Sequence, residues 1–151
     1  MSDDFGNLRE LYQEVIFDHN RNPRNFRYIA DATHQAVGHN PLCGDQLTIY
    51  LKVNGDQLIE DVSFIGQGCA ISKASASLMT EAVLGKNINE ADALFNAMHQ
   101  MFTHEHPDLD LGKLEVLSGV REFPVRVKCA TLAWHSLHNA LHGTDEVAQT
   151  E

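Results

Sequence analysis

The sequence has no long apolar run, few basic residues and only three cysteines, and each shortage excludes a class of protein. Its apolar stretches are far shorter than the roughly 20 residues that a membrane-spanning helix requires. An odd number of cysteines cannot form a complete set of disulfide bonds, which argues against a disulfide-stabilised secreted domain. The 11 Lys and Arg residues oppose 21 Asp and Glu residues, and the net charge of −10 repels nucleic acids and anionic lipids.

The length and composition of the chain are those of one ordinary globular domain. The chain has 151 residues, of which 43% are hydrophobic, so it can bury a core of its own. Its first ten residues are acidic and polar, unlike a secretion signal. We therefore predict a single domain over residues 1–151, with 1–6 and 144–151 as flexible tails. We expect a cytoplasmic monomer that binds neither nucleic acid nor membrane.

The first half of the chain predicts one helix followed by a small antiparallel sheet. An apolar stripe in residues 8–16 predicts an amphipathic helix that ends before Asn22 and Pro23. Alternating and β-branched residues follow, and Asn54-Gly55 is a strong signal for a hairpin turn. The predicted strands cover residues 33–39, 46–53 and 58–64.

The second half has the hydrophobic period of helices. We predict helices over 70–85, from Asn89 to about residue 102 and over 113–118, and a last helix past Pro124 that stops at Gly143. The predicted fold class is therefore α+β, in which a three-stranded antiparallel sheet is covered on one face by several helices.

The three cysteines and one aspartate make up the candidate site. Cys43 lies in a loop before a strand, and Asp45 follows two positions later on the same side of an extended chain. Cys69 and Cys129 are predicted to open helices, where the positive end of the helix dipole favours a thiolate. We predict that all four side chains converge on one point, the alternative being three unreactive cysteines packed in the core.

Three thiolates and one carboxylate are a ligand set that suits a tetrahedral Zn²⁺ ion. Four negative ligands exceed the charge of one Zn²⁺, so cationic neighbours are expected, and Lys73, Arg126 and Lys128 are the candidates. Arg126 could also pair with Asp45 or Cys43 when either leaves the metal, the alternative being an ordinary surface arginine.

Three of the nine histidines, His135, His138 and His142, lie along one side of the last predicted helix. Histidines four positions apart on a helix can bind a metal. The pattern nevertheless favours a solvated face with imidazoles near the negative end of the helix dipole.

Four stretches carry a resemblance to a known family: LYQEVIFDHNRNPRNF, NPLCGDQLTIYLKV, FIGQGCAISKASASLM and VKCATLAWHSL. With them the chain resembles the U-type iron-sulfur cluster assembly proteins, the IscU and NifU N-terminal family, over about residues 8–143. The resemblance implies that Cys43, Asp45, Cys69 and Cys129 form the metal and sulfur site.

Two features make the chain most similar to the SufU branch of that family. Lys128 stands where scaffold-type members have a histidine, immediately before the third cysteine. Cys69 and Cys129 are also 60 positions apart, with an additional helical segment over about 92–119.

The SufU resemblance implies a zinc-bound sulfur acceptor, that is, a zinc-dependent sulfurtransferase. It would take persulfide sulfur from a SufS-like cysteine desulfurase and pass it to a downstream iron-sulfur assembly complex. Cys43 is the predicted acceptor, because its loop can move while the other two thiols are fixed to helices. Two alternatives remain open: a scaffold that holds iron or a [2Fe-2S] cluster, and a structural zinc domain used for protein contacts.

Overall fold

The structure, a computed structural model, describes residues 2–143 and 148–149 and has the predicted α+β class. Three strands lie between an N-terminal helix and a group of helices. In chain order the elements are α1 (Ser2–Arg21), β1 (His34–Asn40), β2 (Asp45–Val53), β3 (Ile59–Gln67), α2 (Ala70–Val83), α3 (Ile88–Phe102), a 3₁₀ segment (Gly112–Glu122), α4 (Pro124–Leu141) and β4 (Ala148–Gln149). None of the helices among the described residues is both long and apolar enough to cross a membrane.

The sheet has the order β3-β2-β1-β4. The antiparallel pairing of β1 with β2 and of β2 with β3 confirms the three predicted strands. The two-residue strand β4 pairs parallel with β1, so this part of the predicted tail is a fourth, edge strand. The predicted tail residues 1, 144–147 and 150–151 lie outside the described residues, whereas residues 2–6 belong to α1.

The hairpin between β2 and β3 is present, but its turn is longer than the two-residue turn that Asn54-Gly55 predicts. The turn spans residues 54–58, and the Asn54 side chain accepts hydrogen bonds from the backbone N–H groups of Asp56 and Leu58. Gln57 has a positive φ of 64°. The side chain of Asn54 therefore replaces the tight backbone turn with a wider loop.

Helices α2 and α4 cover one face of the sheet, as predicted. Leu47, Ile49 and Leu51 alternate along β2 and are fully buried beneath them. Small residues allow close contact: the Ser75 hydroxyl of α2 donates to the Ala130 carbonyl of α4 at 2.6 Å. A Cβ atom at Gly38 of β1 would lie 2.0 Å from the Ser136 hydroxyl oxygen, so only glycine fits beneath α4 there. This packing fixes α4 against β1, which leads directly into the loop that carries Cys43.

Two helices begin earlier than the sequence predicts. The side chain of Asn87 caps α3 and forms a capping box with Glu90, so that helix begins at Ile88. Helix α4 begins at Pro124. Proline suits the first helical position because it lacks the backbone N–H, which would have no partner there. Cys129 therefore lies in the second turn of α4, and the prediction that it opens a helix was wrong.

Candidate metal centre

Asp45 lies at the centre of the candidate site, at the first position of β2. Its register with Asn40 on β1 places it at the end of the hairpin, where it is completely buried. One carboxylate oxygen accepts the backbone N–H of Cys69 at 2.8 Å, and the other lies 3.8 Å from the Cys69 sulfur. Asp45 therefore links the start of β2 to the start of α2.

Cys69 is the N-cap of α2, which confirms its predicted place at a helix start. Its backbone is extended, with φ −70° and ψ 169°, and its sulfur accepts the backbone N–H of Ser72 at 3.4 Å. The unpaired N–H groups of the first helical turn point towards this position, so the Cys69 sulfur lies where backbone donors converge.

Cys129 reaches the site from the second turn of α4 and is buried. The Asn40 side-chain amide donates to its sulfur at 3.7 Å. Burial raises the pKa of the Cys129 thiol, and the neighbouring thiols of Cys43 and Cys69 raise it further. A cation would reverse this effect, because a thiol that binds a metal is deprotonated.

Cys43 completes the site from an exposed loop. The Cys129 thiol donates to the Cys43 sulfur at 3.3 Å. The ligand atoms of Cys43, Asp45 and Cys129 all lie within 4.8 Å of one another, and Cys69 joins this group through its contact with Asp45. The structure thus groups Cys43, Asp45 and Cys129, and Cys69 lies beside them in contact with Asp45 but outside the group whose ligand atoms are mutually within 4.8 Å.

The loop that carries Cys43 has two conformational determinants. Asn40 accepts the N–H of Leu42 with its side chain and the N–H of Cys43 with its carbonyl, which forms a turn with Pro41 at its second position. Gly44 then has a φ of 71°, a conformation that favours glycine. The loop therefore returns the chain from β1 to β2 while its tip stays exposed.

Gly68 makes room for the buried carboxylate. A Cβ atom at this position would lie 2.9 Å from an oxygen of Asp45 and 3.2 Å from the Cβ of Ser72. Glycine is therefore required by the close approach of Asp45 to the start of α2.

The negative groups of the site have no cationic partner among the described residues. No ion pair involves Asp45 there. The Lys73 ammonium lies over the Phe26 ring at 5.6 Å, and the Arg126 guanidinium lies over the Phe123 ring at 4.6 Å. The predicted pairing of Arg126 with Asp45 or Cys43 would therefore require its side chain to rotate away from Phe123.

The donor set fits a metal ion. A completely buried carboxylate is costly unless a positive charge or several hydrogen bonds compensate it. The Asp45 carboxylate accepts one backbone N–H, and the thiol sulfurs of Cys43, Cys69 and Cys129 all lie within 4.8 Å of its oxygens. A single divalent cation would compensate two of the four negative charges of these groups, and soft sulfur donors select zinc or iron over magnesium or calcium.

Sequence reasoning missed three residues that shape the site: Asn40, Gly68 and Ser72. Asn-Pro is a turn signal, so Asn40 could have been identified as the residue that orders the loop. The contact between Gly68 and Asp45 has no local signal, because it depends on how the hairpin meets α2.

Comparison with known proteins places this geometry in context. The profile described as the NifU-like N terminal domain matches residues 11–130. The zinc-dependent sulfurtransferase SufU of Bacillus subtilis is 43% identical over 137 residues, which cover 89% of this chain and 92% of SufU. The iron-sulfur cluster assembly scaffold protein IscU of Streptococcus pyogenes is 41% identical over 148 residues, or 92% of each chain.

A solved structure has the same fold. It is the crystal structure of a protein from Fervidobacterium islandicum described as a candidate iron-sulfur cluster assembly scaffold for the SUF system. The TM-score is 0.81 at 35% identity, and the match covers 85% of this chain and 94% of that one.

Proposed function

We propose a function from the premise that this chain belongs to the NifU-like N-terminal domain family, the iron-sulfur cluster assembly family of SufU and IscU. Membership confirms the resemblance inferred from the four sequence motifs. The proposed function is that of a zinc-bound sulfur acceptor, which receives sulfur from the persulfide of a cysteine desulfurase and relays it for cluster assembly.

The unequal exposure of the four site residues is the observation that carries this proposal. Cys43 is exposed, whereas Asp45 and Cys129 are buried and Cys69 is half-buried at a helix start. A persulfide on another protein reaches the sulfur of Cys43 more readily than the half-buried sulfur of Cys69 or the buried sulfur of Cys129. The other three groups are held by β2, α2 and α4, and we propose that they hold the ion while Cys43 reacts.

Zinc is the proposed cofactor, held by Cys43, Asp45, Cys69 and Cys129. When bound, it would keep the thiols deprotonated and neutralise part of the buried charge. Support comes from the uncompensated carboxylate and thiols of this structure, and from the name of the Bacillus relative, which is called zinc-dependent.

The proposed transfer step is a thiol-persulfide exchange. The Cys43 thiolate attacks the terminal sulfur of the donor persulfide, the S–S bond of the donor breaks, and the donor cysteine leaves as a thiolate that takes up a proton. Cys43 then carries the extra sulfur as a persulfide. The sulfur atom moves without any net oxidation or reduction, so the step requires no further oxidant or reductant.

The loop gives Cys43 freedom that the other ligands lack. Residues 41–44 are exposed, and the Cys43 backbone N–H has one long hydrogen bond, of 3.3 Å, to the Asn40 carbonyl. Cys69 is fixed by its own N–H bond to Asp45 and by Ser72, and Cys129 lies within α4 beneath Asn40. Arg126 could rotate from Phe123 to pair with Asp45 or Cys43 while Cys43 is displaced, as the sequence predicts.

A SufS-type cysteine desulfurase is the proposed partner, and the cytoplasm is the proposed compartment, because three free thiols persist best under reducing conditions. The experiment measures the turnover of a SufS-type desulfurase on cysteine, with and without the zinc-loaded protein and with no other thiol present. We expect turnover to rise at least tenfold when the protein is added.

The same sample tests the alternatives. The visible spectrum would be recorded after anaerobic addition of iron and sulfide. A stable cluster spectrum without stimulation of the desulfurase would favour the [2Fe-2S] scaffold, which is the function named for several relatives. Bound zinc with neither stimulation nor a cluster would favour a structural zinc domain.

A further inference from the structure

A second group of metal-binding side chains lies at the opposite end of α4 from Cys129. It consists of Asp92 in the first turns of α3, His138 in the last turn of α4 and His142 immediately after it. Their ligand atoms all lie within 4.8 Å of one another. At about 1.5 Å of helix rise per residue, His142 lies about 20 Å along the helix axis from Cys129, so this group is separate from the thiol centre.

The distances fit a single ion. His142 Nε2 lies 2.9 and 3.0 Å from the two oxygens of Asp92, and His138 Nδ1 lies 3.7 Å from one of them. Two ligands bound at about 2.0–2.1 Å to a tetrahedral ion lie about 3.3 Å apart. The observed separations bracket that value, so small side-chain rotations would bring all three atoms into bonding distance.

The two histidines are oriented for this arrangement. His138 stacks on the Phe95 ring at 4.7 Å, and its centroid lies 4.5 Å from that of His142. The Nδ1 atom of His138 is buried and has no hydrogen-bond partner within the described part of the chain. A nitrogen held against a carboxylate, without a hydrogen bond of its own, is suited to donate its lone pair to a cation.

The surroundings also favour positive charge. His142 is the residue after α4, where the unpaired carbonyl groups of a helix end make the potential negative. The chain as a whole carries a net charge of −10. The His138 and His142 side chains are 43% and 45% exposed, which leaves room for water at the remaining coordination position.

We propose that Asp92, His138 and His142 form a second metal site, which binds one divalent transition-metal ion such as Zn²⁺, Co²⁺ or Ni²⁺ and joins α3 to α4. Two imidazoles and one carboxylate select these ions over Mg²⁺ and Ca²⁺, which prefer oxygen ligands. The sequence pattern favoured a solvated histidine face, because it did not reveal that Asp92 packs against the end of α4.

The experiment uses the full chain with its thiol centre already filled by one equivalent of zinc, under anaerobic conditions. Co²⁺ is then titrated in while visible absorption and melting temperature are recorded, with Mg²⁺ as a parallel titration. Thiolate ligands in a tetrahedral site bind zinc more tightly than cobalt, so cobalt does not displace zinc from the thiols. Nitrogen and oxygen ligation gives cobalt d–d bands without the sulfur charge-transfer band of a thiolate site.

The variants D92N and H142A each remove one ligand, and H106A is the matched control because His106 is also exposed but lies outside the group. We expect saturable cobalt binding by the unchanged chain and by H106A, with a rise in melting temperature, and at least tenfold weaker binding by D92N and H142A. No new absorption, thiolate charge transfer only, or undiminished affinity in both ligand variants would overturn the proposal.

Discussion

Two buried polar regions lie along α2 and are built differently. At its N-terminal end, Asp45 and the thiols of Cys69 and Cys129 form a cluster that opens to solvent at Cys43. In its C-terminal half, the ring of His19 lies 2.7 Å from the Ser77 hydroxyl, which also accepts the backbone N–H of Arg24.

The second region, which we call the His19 cluster (His19, Arg24, Asn25, Ser77 and Thr80), is closed. The Asn25 side chain donates to the Thr80 hydroxyl at 3.0 Å, and that hydroxyl donates to the Ser77 carbonyl at 2.7 Å. Its other polar groups find partners within the chain and fasten the segment after α1 to α2, whereas the buried His19 Nε2 has no hydrogen-bond partner among the described residues and lies 3.5 Å from the Glu81 carboxylate. The thiol centre instead gathers negative groups that need a cation from outside, and this contrast separates a structural cluster from a functional one.

The largest expected effect follows from C43A, which removes the one exposed thiol. We expect stimulation of a SufS-type desulfurase to fall at least 100-fold, with the melting temperature of the metal-free protein unchanged, because Cys43 lies outside the core. Desulfurase turnover measures the loss of stimulation, and a thermal melt of the same sample measures the melting temperature.

Undiminished stimulation by the C43A variant would contradict the assignment of Cys43 as the acceptor. The control L42A changes the neighbouring exposed residue of the same loop and leaves every candidate ligand in place.

Next in size is D45N, which keeps the shape of the side chain but removes its charge. We expect zinc affinity to fall about 100-fold, because the amide is a poor ligand and the carboxylate no longer compensates the ion. Competition with a chromophoric chelator measures the affinity. N40A is the neighbouring comparison, since Asn40 is buried beside Asp45 and shapes the Cys43 loop without being a candidate ligand. An equal loss in both variants would mean that general loosening of the site, and not loss of a ligand, is responsible.

Substitution of His19 should change the free energy of unfolding and its pH dependence without changing the affinity for zinc. Burial is the main cause that lowers the pKa of His19 to about 4, from an ordinary value of 6.5. Between these two pH values the unfolded chain binds a proton that the folded chain does not, so the free energy of unfolding falls as the pH is lowered from 6.5 towards 4, by about 3 kcal/mol over the whole window.

Urea unfolding at pH 7 and pH 5 measures this dependence. We expect H19Q to be less stable at pH 7 and to lose part of the pH dependence, while the exposed control H106Q keeps all of it. Identical pH dependence in H19Q and the unchanged chain would show that His19 is not the titrating group.

G68A tests whether the close contact between position 68 and the Asp45 carboxylate requires glycine. The added Cβ would lie 2.9 Å from the carboxylate, so we expect about tenfold weaker zinc binding. G55A is the matched control, because a Cβ at Gly55 has no atom within 4 Å. Equal affinity in the two variants would contradict the requirement for glycine at position 68.

The smallest expected effect is that of zinc removal on the fold. The domain has its own core, so chelation should loosen the Cys43 loop and lower the melting temperature by about 2–4 °C for each kcal/mol of lost stability, without unfolding the chain at room temperature. Far-UV circular dichroism with and without chelator measures this. Loss of the helical signal on chelation would mean that the ion, and not the core, holds the domain together.

Much of the fold could be predicted from local sequence, because hydrophobic period and turn residues determine element type. The three antiparallel strands and the helix that Cys69 caps are confirmed on that basis. Where prediction failed, distant or alternative local partners decided the outcome: Pro124 starts α4 five residues before Cys129, and Asn87 caps α3 in place of Asn89.

For the site, residue type and position identified Cys43, Asp45, Cys69 and Cys129 before any geometry was known. Their charge partners could not be predicted in the same way. Lys73 and Arg126 are close to the cysteines in sequence, but Lys73 packs on the distant ring of Phe26, and Arg126 packs on Phe123 at the start of its own helix. Asp92 and His142 are 50 positions apart, so their contact depends wholly on how α3 packs on α4.

The most direct test of the division between the exposed thiol and the buried ligands is to follow the sulfur atom itself. The zinc-loaded protein would be mixed with a SufS-type desulfurase and isotopically labelled cysteine, alkylated to trap persulfides and mapped by peptide mass spectrometry. We expect the labelled sulfur on the peptide that contains Cys43. Label on Cys69 or Cys129, or no label while the desulfurase turns over faster, would contradict the account.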